Sequence, residues 1–159
     1  MDALFAIFHR YVKMNPRGAV KIMKKCYFDN KRLIHIFEQF DKINTVYLCG
    51  SYAQGSASEN SDIDFAILPS TELSVYDEMR IQAALSEELS FENVDLINLS
   101  KAPVKLQFNL VSAGRIIYEK NAELTNQYIE DLLKQYHDRV YRYKRFQKDL
   151  EQGLREDYC

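Results

Sequence analysis

Three aspartates in this sequence are of the type that phosphoryl transfer needs. Asp62 and Asp64 lie in Asp62-Ile63-Asp64-Phe65-Ala66-Ile67-Leu68, a run that is otherwise apolar. Read as a strand, the run puts both carboxylates on one face. Two like charges side by side repel unless a cation sits between them. Mg²⁺ is the ion that takes carboxylate and phosphate oxygens together. Asp95, in Val94-Asp95-Leu96-Ile97-Asn98-Leu99, is the third acid. A two-metal phosphoryl-transfer site would use it as a general base or a shared metal ligand. Gly50 and Ser51 follow the apolar run Val46-Tyr47-Leu48-Cys49. Glycine lets backbone approach a ligand closely, and Ser51 opens a helical turn whose free N–H groups can hold an anion. The competing reading makes Ser51 an ordinary N-cap and the acids a solvated turn. Acids are depleted inside apolar strands, which disfavours it.

The elements that must position these residues follow from periodicity. The runs ending at Cys49 and Leu68, the Val94–Leu99 run and Arg115 to Glu119 read as strands. Asp41 to Asn44 reads as a polar turn before the first strand, and Pro69-Ser70-Thr71 ends pairing after the second. Ser74 with Asp77 resembles a capping box for a helix through about Leu89, carrying Ile81, Leu85 and Leu89. Ser100 can cap the next helix, Pro103 suits its first turn, and Gly114 is placed to stop it. Upstream, Ala3 to Lys13 and Ala19 to Tyr27 read as helices. A third helix is capped by Asp29 or Asn30 and has Leu33, Ile34, Phe37 and Phe40 on one face. Downstream, Leu124, Tyr128, Leu132, Tyr136, Val140, Tyr143, Phe146 and Leu150 step by three and four, one long helical stripe with a break expected near Gly153. Its outer part, beyond Tyr136, reads equally as core packing or as a docking face. The fold class is α/β (α+β), a small mixed sheet of about four strands flanked by helices.

Gly50-Ser51, ten residues, Asp62-x-Asp64, and Asp95 on a later strand together resemble the signature of the DNA polymerase beta-like nucleotidyltransferase superfamily. The short length and the wording around the motif, Gly55 and Ser61 included, are similar to its minimal nucleotidyltransferase (MNT) branch. The resemblance covers roughly residues 42–121. It implies the same α/β fold and transfer of AMP from ATP. Asp62, Asp64 and Asp95 would be the catalytic and Mg²⁺-holding acids, and Gly50 and Ser51 would bind the outgoing pyrophosphate. It also implies a partner, a HEPN-family toxin whose tyrosine hydroxyl would accept the AMP. The chain itself would then be an antitoxin.

Composition sets the outer bounds. The 159 residues suit one domain, expected as N-terminal helices over 1–41, a catalytic core over 42–121 and a long helix over 122–159. Cys26, Cys49 and Cys159 are scattered without C-x-x-C spacing, which argues against a disulfide framework or zinc site and fits the cytoplasm. The apolar start is too short for a membrane span and lacks the shape of a signal peptide. Between Ser56 and Leu99 the acids Glu59, Asp62, Asp64, Glu72, Asp77, Glu78, Glu87, Glu88, Glu92 and Asp95 face one base, Arg80. Such a segment repels nucleic acid, so no direct nucleic-acid substrate is expected. Basic residues from Arg10 to Arg32 read as a solvated surface, as do Lys101 and Lys105.

Three functions compete: a protein adenylyltransferase acting on a HEPN toxin, a small-molecule transferase of the aminoglycoside-modifying kind, and an antitoxin that neutralises by binding alone. The second usually needs an added acceptor-binding helical domain, for which this chain has little room. The intact acid triad speaks against the third. A homo-oligomer or a hetero-oligomer with the toxin remains open.

Overall fold

The computed structural model describes residues 30–58 and 61–157. The two helices expected upstream and the basic residues from Arg10 to Lys25 lie outside these residues. The described elements run α1 (Asn30–Glu38), β1 (Ile43–Leu48), α2 (Gly50–Gln54), β2 (Ile63–Pro69), α3 (Val75–Leu89), β3 (Val94–Asn98), α4 (Val104–Ala113), β4 (Arg115–Glu119) and α5 (Ala122–Asp157). The strands form one mixed sheet in the order β3-β2-β1-β4. β1 is antiparallel to both β2 and β4, whereas β2 and β3 are parallel and joined through α3. This is the mixed four-stranded α/β sheet that the sequence predicts.

Each face of the sheet buries its own core. One contains Leu33, Ile36 and Phe37 of α1, Ile63, Phe65 and Ile67 of β2, and Ile81 and Leu85 of α3. The other contains Tyr47, Cys49, Ala66, Leu68, Val104, Val111, Ile129 and Leu132, under α4 and α5. Successive β2 residues alternate between the two cores, as strand geometry demands. The capping box of α3 forms as expected: Ser74 Oγ accepts from the Asp77 N–H, and the Asp77 carboxylate accepts from the Ser74 N–H.

Several boundaries differ from the sequence reading, each for a physical reason. β1 starts at Ile43, so Asn44 is a buried strand residue and not the end of a polar turn, and Thr45 beside it is buried too. Burial is tolerable because Asn44 Nδ2 donates to Thr125 Oγ1 at 3.2 Å and to the Asn121 carbonyl at 3.2 Å, and the Thr45 and Thr125 hydroxyls meet at 2.7 Å. That polar clasp fixes the start of α5 and turns Thr125, Ile129 and Leu132 inward, leaving Leu124 exposed. α5 continues through Gly153 to Asp157. One glycine costs a helix about 1 kcal/mol, too little to end it here. In the loop before α4, Ser100 does not cap. Its N–H donates to Asn98 Oδ1 at 3.0 Å, and Pro103 occupies the N-cap position without a side-chain bond. Pro69 is the last residue of β2 and still faces Ile43. In α1, Ile36 joins Leu33 and Phe37 in the core while Ile34 is half-buried.

Candidate active site

The residues that could do chemistry converge on one end of the sheet. β1 ends at Leu48, which faces Phe65, and the Cys49 N–H donates to the Asp64 carbonyl at 2.8 Å. The parallel register of β2 and β3 sets Asp64 directly beside Asp95. Asp64 shares the alternation of Ala66 and Leu68, and Asp95 that of Ile97, so both belong to the face covered by α4 and α5. Asp62 lies one residue ahead of β2, not inside it, because pairing with β3 begins at Ile63 and Val94. It is exposed, Asp95 is exposed and Asp64 is half-buried. Burial first, then the charge of Asp95 and then that of Asp62, pushes the Asp64 carboxyl above its ordinary range. Asp64 thus senses the charge of both other acids.

Gly50 completes this corner. Its φ is +62°, and a Cβ there would collide with Oδ2 of Asp64. Only glycine lets the chain turn from β1 into α2 this close to the carboxylate. α2 is a single short turn, so its first N–H groups have no intrahelical acceptor and face the same end of the sheet. Ser51 is half-buried in that turn. Gly55 ends α2 in a left-handed conformation, φ +73°, its N–H donating to the Ser51 carbonyl. A Cβ at Gly55 would meet nothing, so its requirement is the backbone turn alone. Ser61 steers the loop that returns to β2, its Oγ accepting from the Ser58 N–H at 2.8 Å. Cys49 is buried beside Asp64, and burial followed by that neighbouring charge pushes its thiol up to about 12. It is therefore no nucleophile.

The donor set suits a hard divalent cation: carboxylates, two of them in register, next to a backbone turn with open N–H groups. The acids are aligned rather than closed on one point. Among the described residues, no three His, Cys, Asp or Glu side chains are gathered tightly enough to enclose a metal ion. The arrangement can hold a cation bridged by a ligand's phosphate oxygens, which supply the donors the protein lacks.

Lys101 is exposed, as expected, and is also ion-paired. Its Nζ lies 2.9 Å from Glu78 and donates to the Leu73 carbonyl, tying the end of β3 to α3. Arg115, at the start of β4, faces Leu48, and its Nε and Nη2 are buried without a hydrogen-bond partner. Nothing in its local sequence signals this, because it opens a strand that is otherwise apolar or half-buried. A surface hollow lined by Arg32, His35, Ile36, Gln39 and Glu88 lies along α1 and α3 and includes none of the three aspartates. No described helix is long and apolar enough to cross a membrane.

Comparison with known proteins extends this geometry. Protein adenylyltransferase MntA of Shewanella oneidensis is 31% identical over 90 residues, 57% of this chain and 64% of the relative. The chain thus spans slightly under two thirds of that relative's length. A crystal structure of a toxin-antitoxin with AMP-PNP superposes with a TM-score of 0.66 at 23% identity, covering 77% of this chain and 98% of the other. A structure of tri-AMPylated Shewanella oneidensis HEPN toxin in complex with MNT antitoxin gives a TM-score of 0.59 at 20% identity, covering 76% and 94%. At those identities the two structures speak to the fold. Residues 31–123, the stretch that contains Gly50, Ser51 and all three aspartates, match the family described as polymerase beta, nucleotidyltransferase. That stretch is more than half of the sequence, and the chain belongs to the polymerase beta nucleotidyltransferase family.

Proposed function

We propose that this chain is a cytoplasmic protein adenylyltransferase that moves AMP from ATP, with Mg²⁺, to a tyrosine hydroxyl of a HEPN-family toxin and so acts as its antitoxin. The observation that carries the reading is the register of Asp64 beside Asp95 with Gly50 turned against Asp64. Family membership supplies the reaction class, and the relative named protein adenylyltransferase supplies the acceptor class. The structures of a HEPN toxin with an MNT antitoxin and of a toxin-antitoxin with AMP-PNP support the toxin as partner and ATP as donor.

In this mechanism Asp62 and Asp64 would hold Mg²⁺ against the triphosphate, and Asp95 would complete the set. When bound, the ion would neutralise charge on the phosphate oxygens and draw donor and acceptor together. Gly50 leaves room for phosphate at the α2 turn, whose N–H groups and Ser51 hydroxyl orient the departing pyrophosphate. Asp95 takes the proton of the acceptor hydroxyl. The acceptor's oxygen then bonds to the α-phosphorus as the bond between that phosphorus and the bridging oxygen breaks, and pyrophosphate leaves with that electron pair. Positioning and electrostatics carry nearly all of such a reaction, which is why carboxylates and a backbone turn suffice.

Asp95→Ala separates the roles. General-base loss should lower turnover roughly 10²–10⁴-fold, far more than it lowers Mg-ATP affinity read by calorimetry. Equal losses in rate and affinity would make Asp95 a metal-holding acid only.

A further inference from the structure

We propose that the outer half of α5, beyond Tyr136, is the surface on which the acceptor protein docks, and that it receives an acidic face of that protein. The inference rests on the transferase reading above and specifies how the acceptor is held.

Placement comes first. Thr125 bonds Asn44 and Thr45 at the start of β1, and Ile129 and Leu132 share a core with Tyr47 and Cys49 near its end. α5 therefore starts beside the beginning of β1 and crosses the face of the sheet to which Asp64 and Asp95 belong. Tyr128 is tied to α4 by a 2.8 Å hydrogen bond to Gln107. Tyr136 stacks on Phe108 at 3.9 Å between ring centres. Past that stack the helix runs on to Asp157, which at about 1.5 Å per residue is about 30 Å of helix.

Surface chemistry comes second. Tyr141, Tyr143 and Phe146 are each 63% exposed. Arg139, Arg142 and Arg145 are exposed at steps of three, on successive turns, and among the described residues none forms an ion pair with an acid. From Arg139 to Lys148 the sequence holds Arg142, Lys144 and Arg145 as well, and no acid at all. Like charges three and four apart weaken a helix; Asp138, four before Arg142, and Asp149, four after Arg145, flank the run, so its own helix offers acids only at the two ends. Exposed aromatics interleaved with arginine are the side chains that anchor protein interfaces. The partner that answers both features is an acidic protein surface with apolar content. Nucleic acid would meet the same cations, but the acids of α3 and β3 and the three aspartates repel its backbone at the site itself.

The test uses the full chain and the HEPN-family protein co-expressed with it. Arg139→Glu, Arg142→Glu and Arg145→Glu are combined in one variant, and a triple Arg→Lys variant controls for charge without reversal. Binding is measured in an Asp64→Asn background, so that it does not depend on transfer, and helix content is checked by circular dichroism. The reversal should weaken partner binding and raise the acceptor KM roughly tenfold or more. Turnover at saturating acceptor and Mg-ATP affinity should hold, and the Arg→Lys variant should follow the parent. Partner binding unchanged by the reversal overturns the inference. So does a parent chain that ignores the HEPN protein, including one that instead captures a single-stranded RNA oligonucleotide through these arginines. If the reversal releases the partner but the parent transfers no AMP, the docking surface stands and the transferase reading falls.

Discussion

At the scale of single residues, the site depends on a glycine as much as on its acids. Gly50 is held at a positive φ with the Asp64 carboxylate where its side chain would be. Gly50→Val meets two costs at once, a backbone conformation that β-branched residues avoid and a collision with Asp64. Displacing that carboxylate by an ångström should cut transfer roughly tenfold to a hundredfold. Circular dichroism and a labelled-ATP transfer assay check this. Parent-like activity in Gly50→Val would show that the turn does not approach phosphate. The Gly-Ser and Asp-x-Asp types and their spacing were readable without a structure, because alternation alone aligns carboxylates on a strand. Which acid is half-buried was not. Asp62 and Asp64 look equivalent in the sequence, yet Asp64 alone of the two has a ladder partner, Asp95, and is half-buried, which raises its carboxyl. Nor was the neutral role of Cys49, whose thiol is silenced by burial.

At the scale of elements, the caps and clasps decide what the sheet presents. α3 begins at the Ser74–Asp77 capping box, and Lys42 Nζ reaches the same Asp77 carboxylate at 2.8 Å. Hydrogen bonds from Lys42, then from Ser74, hold the Asp77 carboxyl down to about 2. The sign follows from linkage: a carboxyl depressed in the folded state adds stability above its unfolded pKa of about 4. That contribution drains away as pH falls from about 4 to about 2. Thermal melts of Asp77→Asn should therefore show a lower midpoint than the parent at pH 6, and the gap should close by pH 2. A gap that persists unchanged at pH 2 would show that the carboxylate charge is not its cause. This cap was legible because its residue types recur at fixed spacing. The Asn44–Thr45–Thr125 clasp was not, because it joins positions far apart in the chain. Polar residues at a strand start look like a turn until their partners are known. The same long-range bonds explain why the buried face of α5 centres on Thr125 and not on Leu124.

For the whole molecule, the mixed sheet gathers the acids and the α2 turn at one end, and α5 crosses one face of the sheet and runs on with an exposed basic and aromatic surface. The number of strands and the mixed sheet were within reach of the sequence, since four strands separated by helices and turns leave few compact arrangements; the order β3-β2-β1-β4 was not, because it rests on pairings between distant segments. The continuity of α5 past Gly153 was not, because a glycine inside a helical stripe signals a stop only when its surroundings favour one.

The central claim is covalent transfer of AMP to a partner protein. Co-expression with the HEPN-family protein, followed by intact-mass spectrometry of that partner, tests it directly. With the parent chain the partner should gain one or more AMP increments, and with Asp62→Asn or Asp64→Asn none. A partner neutralised equally well by the Asn variants, and never gaining mass with the parent, would contradict the account and leave an antitoxin that acts by binding alone.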